Sequence, residues 1–148
     1  MKLAFIGLGA IGKPMSERLI NNGYDLNLYQ RTKRNNDDKR KYFVDPIKAV
    51  CDCDGLLICV TDDNAVESVL FGENGVAGSL KPNSFVIDFS TISPNKSISI
   101  HKRLCHQNVF YVDCPVSGGT EGLITVHYLY LLVQAKKGVN FLNTSSKC

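Results

Sequence analysis

Residues 2–12 read KLAFIGLGAIG, and they carry the clearest structural signal in the chain. The apolar run at 2–6 ends in glycine, which is typical of a buried strand. Residues 13–22 place apolar side chains at helical spacing before Gly23, which predicts a helix with a glycine stop. Residues 25–29 alternate as a second strand. A strand, a glycine turn, a helix and a second strand within about 30 residues predict a βαβ crossover unit.

The glycines between the first strand and the helix follow the spacing G-x-G-x-x-G. Gly7 would permit the tight turn, Gly9 would let a pyrophosphate approach the backbone, and Gly12 would let helix and strand pack closely. The helix amides and the positive end of the helix dipole would then receive the phosphates. A tight turn without a ligand is the alternative, because glycines punctuate many turns. The motif predicts that a dinucleotide is bound by Gly7, Leu8, Gly9, Ala10, Ile11 and Gly12.

The end of the second strand predicts which dinucleotide is preferred. An Asp or Glu there would hold the ribose 2′-hydroxyl of NAD. This chain has Gln30, Arg31 and Thr32 instead, within a basic cluster. Since such a cluster accommodates a 2′-phosphate, we predict NADP as the cofactor and NAD as the less favoured ligand. Arg31 would contact the phosphate with help from Thr32, and a solvated basic loop is the alternative.

The remainder of the chain alternates predicted strands and helices. Residues 31–41 form a charged, asparagine-rich stretch with little room for a full helix and strand, so we expect an abbreviated flank there. Strands are predicted at 55–60, 84–89 and 109–112, and helices at 46–50, 64–70 and 94–104. This alternation predicts the α/β class, as a Rossmann-type doubly wound parallel sheet.

Composition and charge are those of an ordinary globular domain. The 148 residues are 44% hydrophobic and 21% charged, with a formal net charge of +3. The charge is small and local, which gives no reason to expect nucleic acid or a membrane surface as a partner. No apolar run is long enough to span a bilayer, and the glycines within residues 3–11 argue against a signal peptide.

The six cysteines form no C-x-x-C pair and show no regular spacing. Several fall within apolar runs, as Cys59 does, which favours reduced, buried thiols in a cytoplasmic protein. A zinc site is the alternative, but the spacing fits no structural zinc pattern, and we predict no metal. Its ligands would come from Cys51, Cys53, His101, Cys105 and His106.

Four segments resemble the β-hydroxyacid dehydrogenase family, which includes 3-hydroxyisobutyrate dehydrogenase and tartronate semialdehyde reductase. They are GLGAIGKPM at 7–15, TDDNAV with VLFG at 61–72, DFSTISP at 88–94 and DCPVSGG at 113–119. The last resembles the family's D-x-P-V-S-G-G substrate signature, which is much more specific than the glycine turn. The segments occur in the family's order and extend the resemblance over residues 1–122.

The resemblance implies further site residues. Beside the glycine turn, the cofactor would be lined by Cys59, Val60, Asn64 and Thr91. The substrate carboxylate would be bound by Ser117, Gly118 and Gly119, whose hydroxyl and unhindered amides suit an anion. Without the family, the same turn would be a plain helix entry. The implied reaction passes hydride between NADP and a small 3-hydroxy acid or semialdehyde acid.

The resemblance stops after Gly122. The family continues roughly A-x-x-G-T-L-x-x-x-V-G-G and adds a helical domain that closes the site, makes the dimer and carries a general-acid lysine in a K-x-x-x-N motif. Residues 136–140, KKGVN, also spell this motif. We interpret them as a coincidence, because they follow Gly119 too closely and lack the preceding glycine-rich helix. We therefore expect a dinucleotide-binding domain at 1–122 and assign no catalytic residue.

Residues 123–148 are expected to be a divergent or frameshifted tail. If each codon is read one base earlier, the codons spanning residues 122–133 can encode the family's A-x-x-G-T-L-x-x-x-V-G in the proper places. A divergent final strand at 128–133 with a polar end is the alternative.

Together these patterns predict the NADP-binding domain of a 3-hydroxy acid dehydrogenase, truncated before the catalytic lysine and inactive alone. Three other interpretations stay open: a non-catalytic NADPH-binding or interaction module, a gene remnant without function, and an enzyme completed by a partner chain. The face where the second domain would dock would favour self-association.

Overall fold

The computed structural model describes residues 1–31 and 41–116. The strands are β1 (Lys2–Ile6), β2 (Asp25–Tyr29), β3 (Lys41–Phe43), β4 (Gly55–Ile58), β5 (Phe85–Asp88) and β6 (Phe110–Asp113). The helices are α1 (Gly12–Asn21), α2 (Pro46–Val50), α3 (Asp63–Phe71) and α4 (Pro94–Cys105), with a 3-10 turn at Ala77–Ser79. The predicted site residues Thr32, Ser117, Gly118 and Gly119 and the expected tail lie outside the described residues.

The strands form one six-stranded sheet in the order β3-β2-β1-β4-β5-β6, and every neighbouring pair is parallel. Strand β1 lies inside the sheet, where Leu3 is opposite Leu26 of β2 and Gly55 of β4. The chain builds outward from β1 to the β3 edge, then crosses back to β4 and builds to the β6 edge. The predicted α/β, Rossmann-type parallel sheet is therefore confirmed, and its order reverses between β1 and β4.

The core lies on both faces of the sheet, because successive strand residues point to opposite sides. Along β1, Leu3 and Phe5 pack toward Met15 of α1, whereas Ala4 and Ile6 belong to the opposite face. The helices on that opposite face contribute Val50, Val66, Leu70, Ile100 and Leu104. Burial on both sides explains why the central strands read as continuous apolar runs rather than as alternating ones.

Side-chain caps set where the helices on the second face begin. Asp45, Asp62 and Ser93 are the N-cap residues of α2, α3 and α4, and each of these side chains accepts a hydrogen bond from an amide of the first turn. Ser93 also donates from its amide (2.8 Å) and its hydroxyl (2.5 Å) to the carboxylate of Asp63, which joins the starts of α3 and α4. Among the described residues, no helix is both long and apolar enough to cross a membrane.

The charged stretch after β2 ends in a third strand. Strand β3 pairs in parallel with β2, with Lys41 opposite Asn27, and the Lys41 ammonium forms an ion pair with Asp25 at 2.5 Å. The sequence suggested an abbreviated flank with little room for this strand. The strand is present, but it is only three residues long. Its short length is sufficient because β2 supplies a preformed partner edge.

Candidate functional site

A cleft of about 760 Å³ opens at the carboxyl ends of the strands, beside the point where the strand order reverses. The ends of β1 and β2 contribute Ile6 and Tyr29 to its wall. Open parallel sheets bind their ligands in this place. The cleft brings together these residues that the sequence singled out: Gly7, Leu8, Gly9, Gln30, Arg31, Cys59 and Val60.

Gly7 makes the turn that closes the inner end of the cleft. Its φ is +100°, in the region that favours glycine, and a Cβ at this position would overlap the carbonyl oxygen of Cys59. The Gly7 amide donates to the carbonyl oxygen of Tyr29 at 3.3 Å. A single glycine therefore brings the end of β1 against the ends of both neighbouring strands.

Gly9 and Gly12 occupy very different surroundings in the same turn. A Cβ on Gly9 would meet no heavy atom within 4 Å, so this residue faces open space in the cleft. A Cβ on Gly12 would overlap the carbonyl oxygen of Gly7, which lies behind the turn. Ala10, Ile11 and Gly12 continue the turn without lining the cleft.

Helix α1 begins directly after this turn. Its N-cap is Ile11, which supplies no side-chain cap, and the Lys13 amide donates to the backbone carbonyl of Gly9 at 3.1 Å. The amides at the start of a helix need acceptors, and the helix dipole favours a negative one. An open glycine in front of a helix start that lacks a side-chain cap therefore fits a phosphate group.

The end of β2 forms the second wall. Gln30 and Arg31 follow the strand and line the cleft together with Pro46 of α2, and Arg31 is exposed. None of residues 29–31, at the end of the strand and directly after it, carries a carboxylate. An arginine therefore lines the cleft where a ribose-binding acid would otherwise stand.

Helix α3 forms a third wall that sequence reasoning missed. Ala65, Ser68 and Val69 line the cleft at helical spacing, while Val66 and Leu70 on the other side of the helix are buried in the core. The apolar residues Val66 and Leu70 could have located this wall from the sequence, because the face of the helix opposite a buried apolar pair is the face left exposed to a ligand. All the lining residues that were not predicted are Ile6, Tyr29, Pro46, Thr61, Ala65, Ser68, Val69, Glu73 and Asn74.

The segment after β4 forms the wall opposite Arg31. Cys59 carries a free thiol, and burial together with the nearby charge of Asp88 raises its pKa to about 11. The thiol therefore stays neutral near pH 7 and offers a weakly polar surface rather than a nucleophile. The amide of Val60 donates to the hydroxyl of Ser90 at 3.0 Å.

Two predicted cofactor contacts do not join the cleft. Asn64 and Thr91 are both exposed and are absent from its lining. In the described part of the chain, no three histidine, cysteine or acidic residues gather into a metal-binding group.

The glycine turn, the helix start without a side-chain cap and the crevice at the reversal of strand order together define a dinucleotide-binding Rossmann domain. Residues 2–137 match the family model for the NAD-binding domain of 6-phosphogluconate dehydrogenase. The chain belongs to this family of NAD(P)-binding domains.

Named relatives place the chain among the enzymes that its motifs resemble. It is 31% identical to 3-sulfolactaldehyde reductase of Escherichia coli, covering 87% of this chain and 45% of the relative. The structure of 3-hydroxyisobutyrate dehydrogenase from Salmonella typhimurium is 26% identical with a TM-score of 0.70, covering 82% and 44% of the two chains. Psf3, solved with NADP+, is 25% identical with a TM-score of 0.78, covering 90% and 52%. The chain spans less than half the length of the Escherichia coli reductase. The predicted resemblance to 3-hydroxyisobutyrate dehydrogenase-like proteins is confirmed.

Proposed function

We propose that this chain is the NADP-binding part of an oxidoreductase that transfers hydride between NADP and a small 3-hydroxy acid. The observation that carries the proposal is the cleft itself, in which Gly9 lies in front of the start of α1, where no side-chain cap is present, while Arg31 follows β2. When bound, NADP supplies the nicotinamide carbon that donates or accepts the hydride.

Each wall of the cleft has a proposed part in holding the dinucleotide. The backbone of residues 7–12 would hold the pyrophosphate, and Gln30, Arg31 and Thr32 would hold the phosphorylated ribose. Cys59 and Val60 would form the wall on the other side of the glycine turn. Asn64 and Thr91 remain proposed contacts on the strength of the family resemblance alone.

NADP rather than NAD is proposed because of the charge at the end of β2. Arg31 is a cationic residue that lines the cleft, and residues 29–31 include no acidic side chain. A 2′-phosphate gains a charge-assisted hydrogen bond there, whereas a 2′-hydroxyl gains little. The similarity to Psf3, which was solved with NADP+, supports the same choice.

A titration of the purified chain with NADPH, and separately with NADH, tests this proposal. We expect tighter binding of NADPH, and we expect Arg31→Ala to weaken NADPH binding roughly tenfold while changing NADH binding little. Arg18→Ala is the matched control, because Arg18 is an exposed arginine of α1 that does not line the cleft. A folded chain that binds neither dinucleotide would refute the proposed function, and equal losses for both dinucleotides would refute the role of Arg31.

A small 3-hydroxy acid or semialdehyde acid is the proposed substrate class. Similarity to 3-hydroxyisobutyrate dehydrogenase and to 3-sulfolactaldehyde reductase supports it. Ser117, Gly118 and Gly119 would bind the carboxylate of the substrate with one hydroxyl and unhindered amides.

We also propose that residues 1–122 are the dinucleotide-binding domain and residues 123–148 a divergent or frameshifted tail. The gene's bases across residues 122–133 distinguish these two origins of the tail. If the frame one base earlier does not spell A-x-x-G-T-L-x-x-x-V-G, the frameshift hypothesis fails. We propose that the tail contributes no general acid to the reaction. Turnover by this polypeptide would then be slow.

A further inference from the structure

A chain of hydrogen bonds runs behind the cleft from the end of β4 to β6. The Val60 amide donates to the Ser90 hydroxyl (3.0 Å), and the Ser90 amide donates to Oδ1 of Asp88 (2.9 Å). The hydroxyl of Tyr111 donates to Oδ2 of the same carboxylate (3.1 Å). Asp88 is 0% exposed and Ser90 is 2% exposed. Water therefore cannot easily replace these bonds, and the network constrains the segments that it joins.

The position of this network follows from the strand order. The glycine turn follows β1 and Arg31 follows β2, on the side of the sheet that leads to β3. If the phosphates lie at the turn and the adenosine lies toward β2, the nicotinamide half extends over β4 and β5. Val60 follows β4 and lines the cleft, and Ser90 follows β5. The network therefore lies behind the nicotinamide half of the proposed ligand.

The hydrogen bond of the Val60 amide is accepted by a side chain, whereas that of the preceding amide, Cys59, is accepted by the backbone. The amide of Cys59 still donates to the backbone carbonyl of Ile6 at 2.9 Å, as in a regular parallel ladder. At Val60 the acceptor is the hydroxyl of Ser90. Loss of that hydroxyl would leave a partly buried amide unpaired, and the segment would move to find another acceptor.

We propose that Ser90 is a positioning residue for the nicotinamide half of the dinucleotide. Its hydroxyl holds the Val60 segment in place, while Asp88 and Tyr111 hold Ser90. Ser90 does not itself line the cleft, so its effect passes through Val60. The inference rests on the proposed function, because it requires a nicotinamide dinucleotide in this cleft.

The test compares a whole dinucleotide with its adenosine half. Ser90→Ala is titrated with NADPH and with adenosine 2′,5′-bisphosphate, which lacks the nicotinamide. We expect the NADPH dissociation constant to rise about tenfold and the bisphosphate constant to stay within about twofold. The fluorescence of bound NADPH should also change, because it reports the surroundings of the nicotinamide ring.

Ser84→Ala is the matched control. Ser84 is also a buried serine, at 3% exposure, and it lies directly before β5 at the opposite end of that strand. Its hydroxyl has no hydrogen-bond partner among the described residues. We expect this variant to bind both ligands as the unsubstituted chain does.

A second variant keeps the test decisive if Ser90→Ala does not fold. Tyr111→Phe removes one hydroxyl from the far end of the network, and it should raise the NADPH constant about threefold with the bisphosphate constant unchanged. Equal weakening of both ligands, or no weakening of either, would overturn the positioning role. An unsubstituted chain that binds neither ligand would overturn the proposed function itself, which is a distinguishable result.

Discussion

The three glycines of the first turn place different demands on the chain. Gly7 needs a positive φ and space beside Cys59, and Gly12 needs space beside Gly7. Gly9 needs neither, because a Cβ there would enter the open cleft. Folding therefore requires glycine at two of the positions, whereas ligand binding is what would require it at the third.

Substitution of Gly9 by alanine should separate binding from folding. We expect Gly9→Ala to unfold at nearly the same temperature as the unsubstituted chain but to bind NADPH at least about tenfold more weakly. Gly7→Ala, the comparison variant, should lose about 2 kcal/mol or more of stability from backbone strain and overlap. Thermal unfolding and NADPH titration of both variants provide the measurements. A Gly9→Ala chain that binds NADPH normally would contradict the assignment of the phosphate site.

The roles of the glycines were predictable because the constraints on them are local. The spacing G-x-G-x-x-G within residues 7–12 is enough to indicate these constraints. The residues of α3 were harder to predict. Asn64 was selected by resemblance, yet the cleft is lined from Ala65 and Ser68 on the same helix. The proposed role of Ser90 could not be predicted, although the residue lies in the segment 88–94 that resembles the family, because its hydrogen bond to Val60 joins residues far apart in the sequence.

Helices α3 and α4 are joined by a cluster of charges around Glu67. Its carboxylate forms ion pairs with Lys96 (3.3 Å) and Arg103 (2.5 Å), and the Arg103 guanidinium lies 3.4 Å from the centre of the Phe71 ring. Partial burial raises the pKa of Glu67, but the bonds to the two cations outweigh it and hold the pKa below its ordinary value of 4.5. The ionised carboxylate therefore stabilises the packing of the two helices.

Replacement of Glu67 by glutamine should reduce stability in a pH-dependent way. We expect a loss of about 0.5–1 kcal/mol near neutral pH, because partly exposed ion pairs contribute little more than this. Because the folded pKa is lowered, the contribution is complete above 4.5 and disappears as the pH falls through the folded pKa. Urea unfolding at pH 7 and at acidic pH measures the difference.

Glu73→Gln is a suitable control for this measurement, because Glu73 is exposed and forms no ion pair within the described residues. Its substitution should leave the urea midpoint unchanged at both pH values. A Glu67→Gln variant whose loss is the same at acidic and neutral pH would show that the charge is not responsible.

Most strands and helices were predictable because burial on both faces makes the parallel strands apolar. The predicted strands at 2–6 and 25–29 and the predicted helix at 46–50 agree with β1, β2 and α2, and no other predicted boundary differs by more than two residues. Strand β3 was not located, because its three residues begin with a lysine and its pairing with β2 is a contact between separate segments. Neither feature leaves a periodic pattern in the sequence.

The polypeptide tested alone should bind NADPH without rapid turnover. The described residues that line the cleft include no lysine or histidine that could act as a general acid. Loss of a general acid commonly costs a factor of about 10² to 10⁴ in rate. We expect NADPH absorbance to fall only at the background rate with a small semialdehyde acid, while titration still shows saturable binding. Rapid NADPH oxidation by the purified chain would contradict this expectation. The 3-sulfolactaldehyde reductase of Escherichia coli would serve as the positive control in the assay.

The order of the cleft residues along the chain has a consequence for biosynthesis. Every described lining residue falls between Ile6 and Asn74. Because the N-terminal part leaves the ribosome first, a nascent chain carries all the described lining residues before it carries β5, α4 or β6. Asp88, Ser90 and Tyr111 emerge later, and with them the network that holds Val60. A growing chain would thus carry the proposed phosphate- and adenosine-binding surfaces first, and it would acquire the proposed support for the nicotinamide end only afterwards.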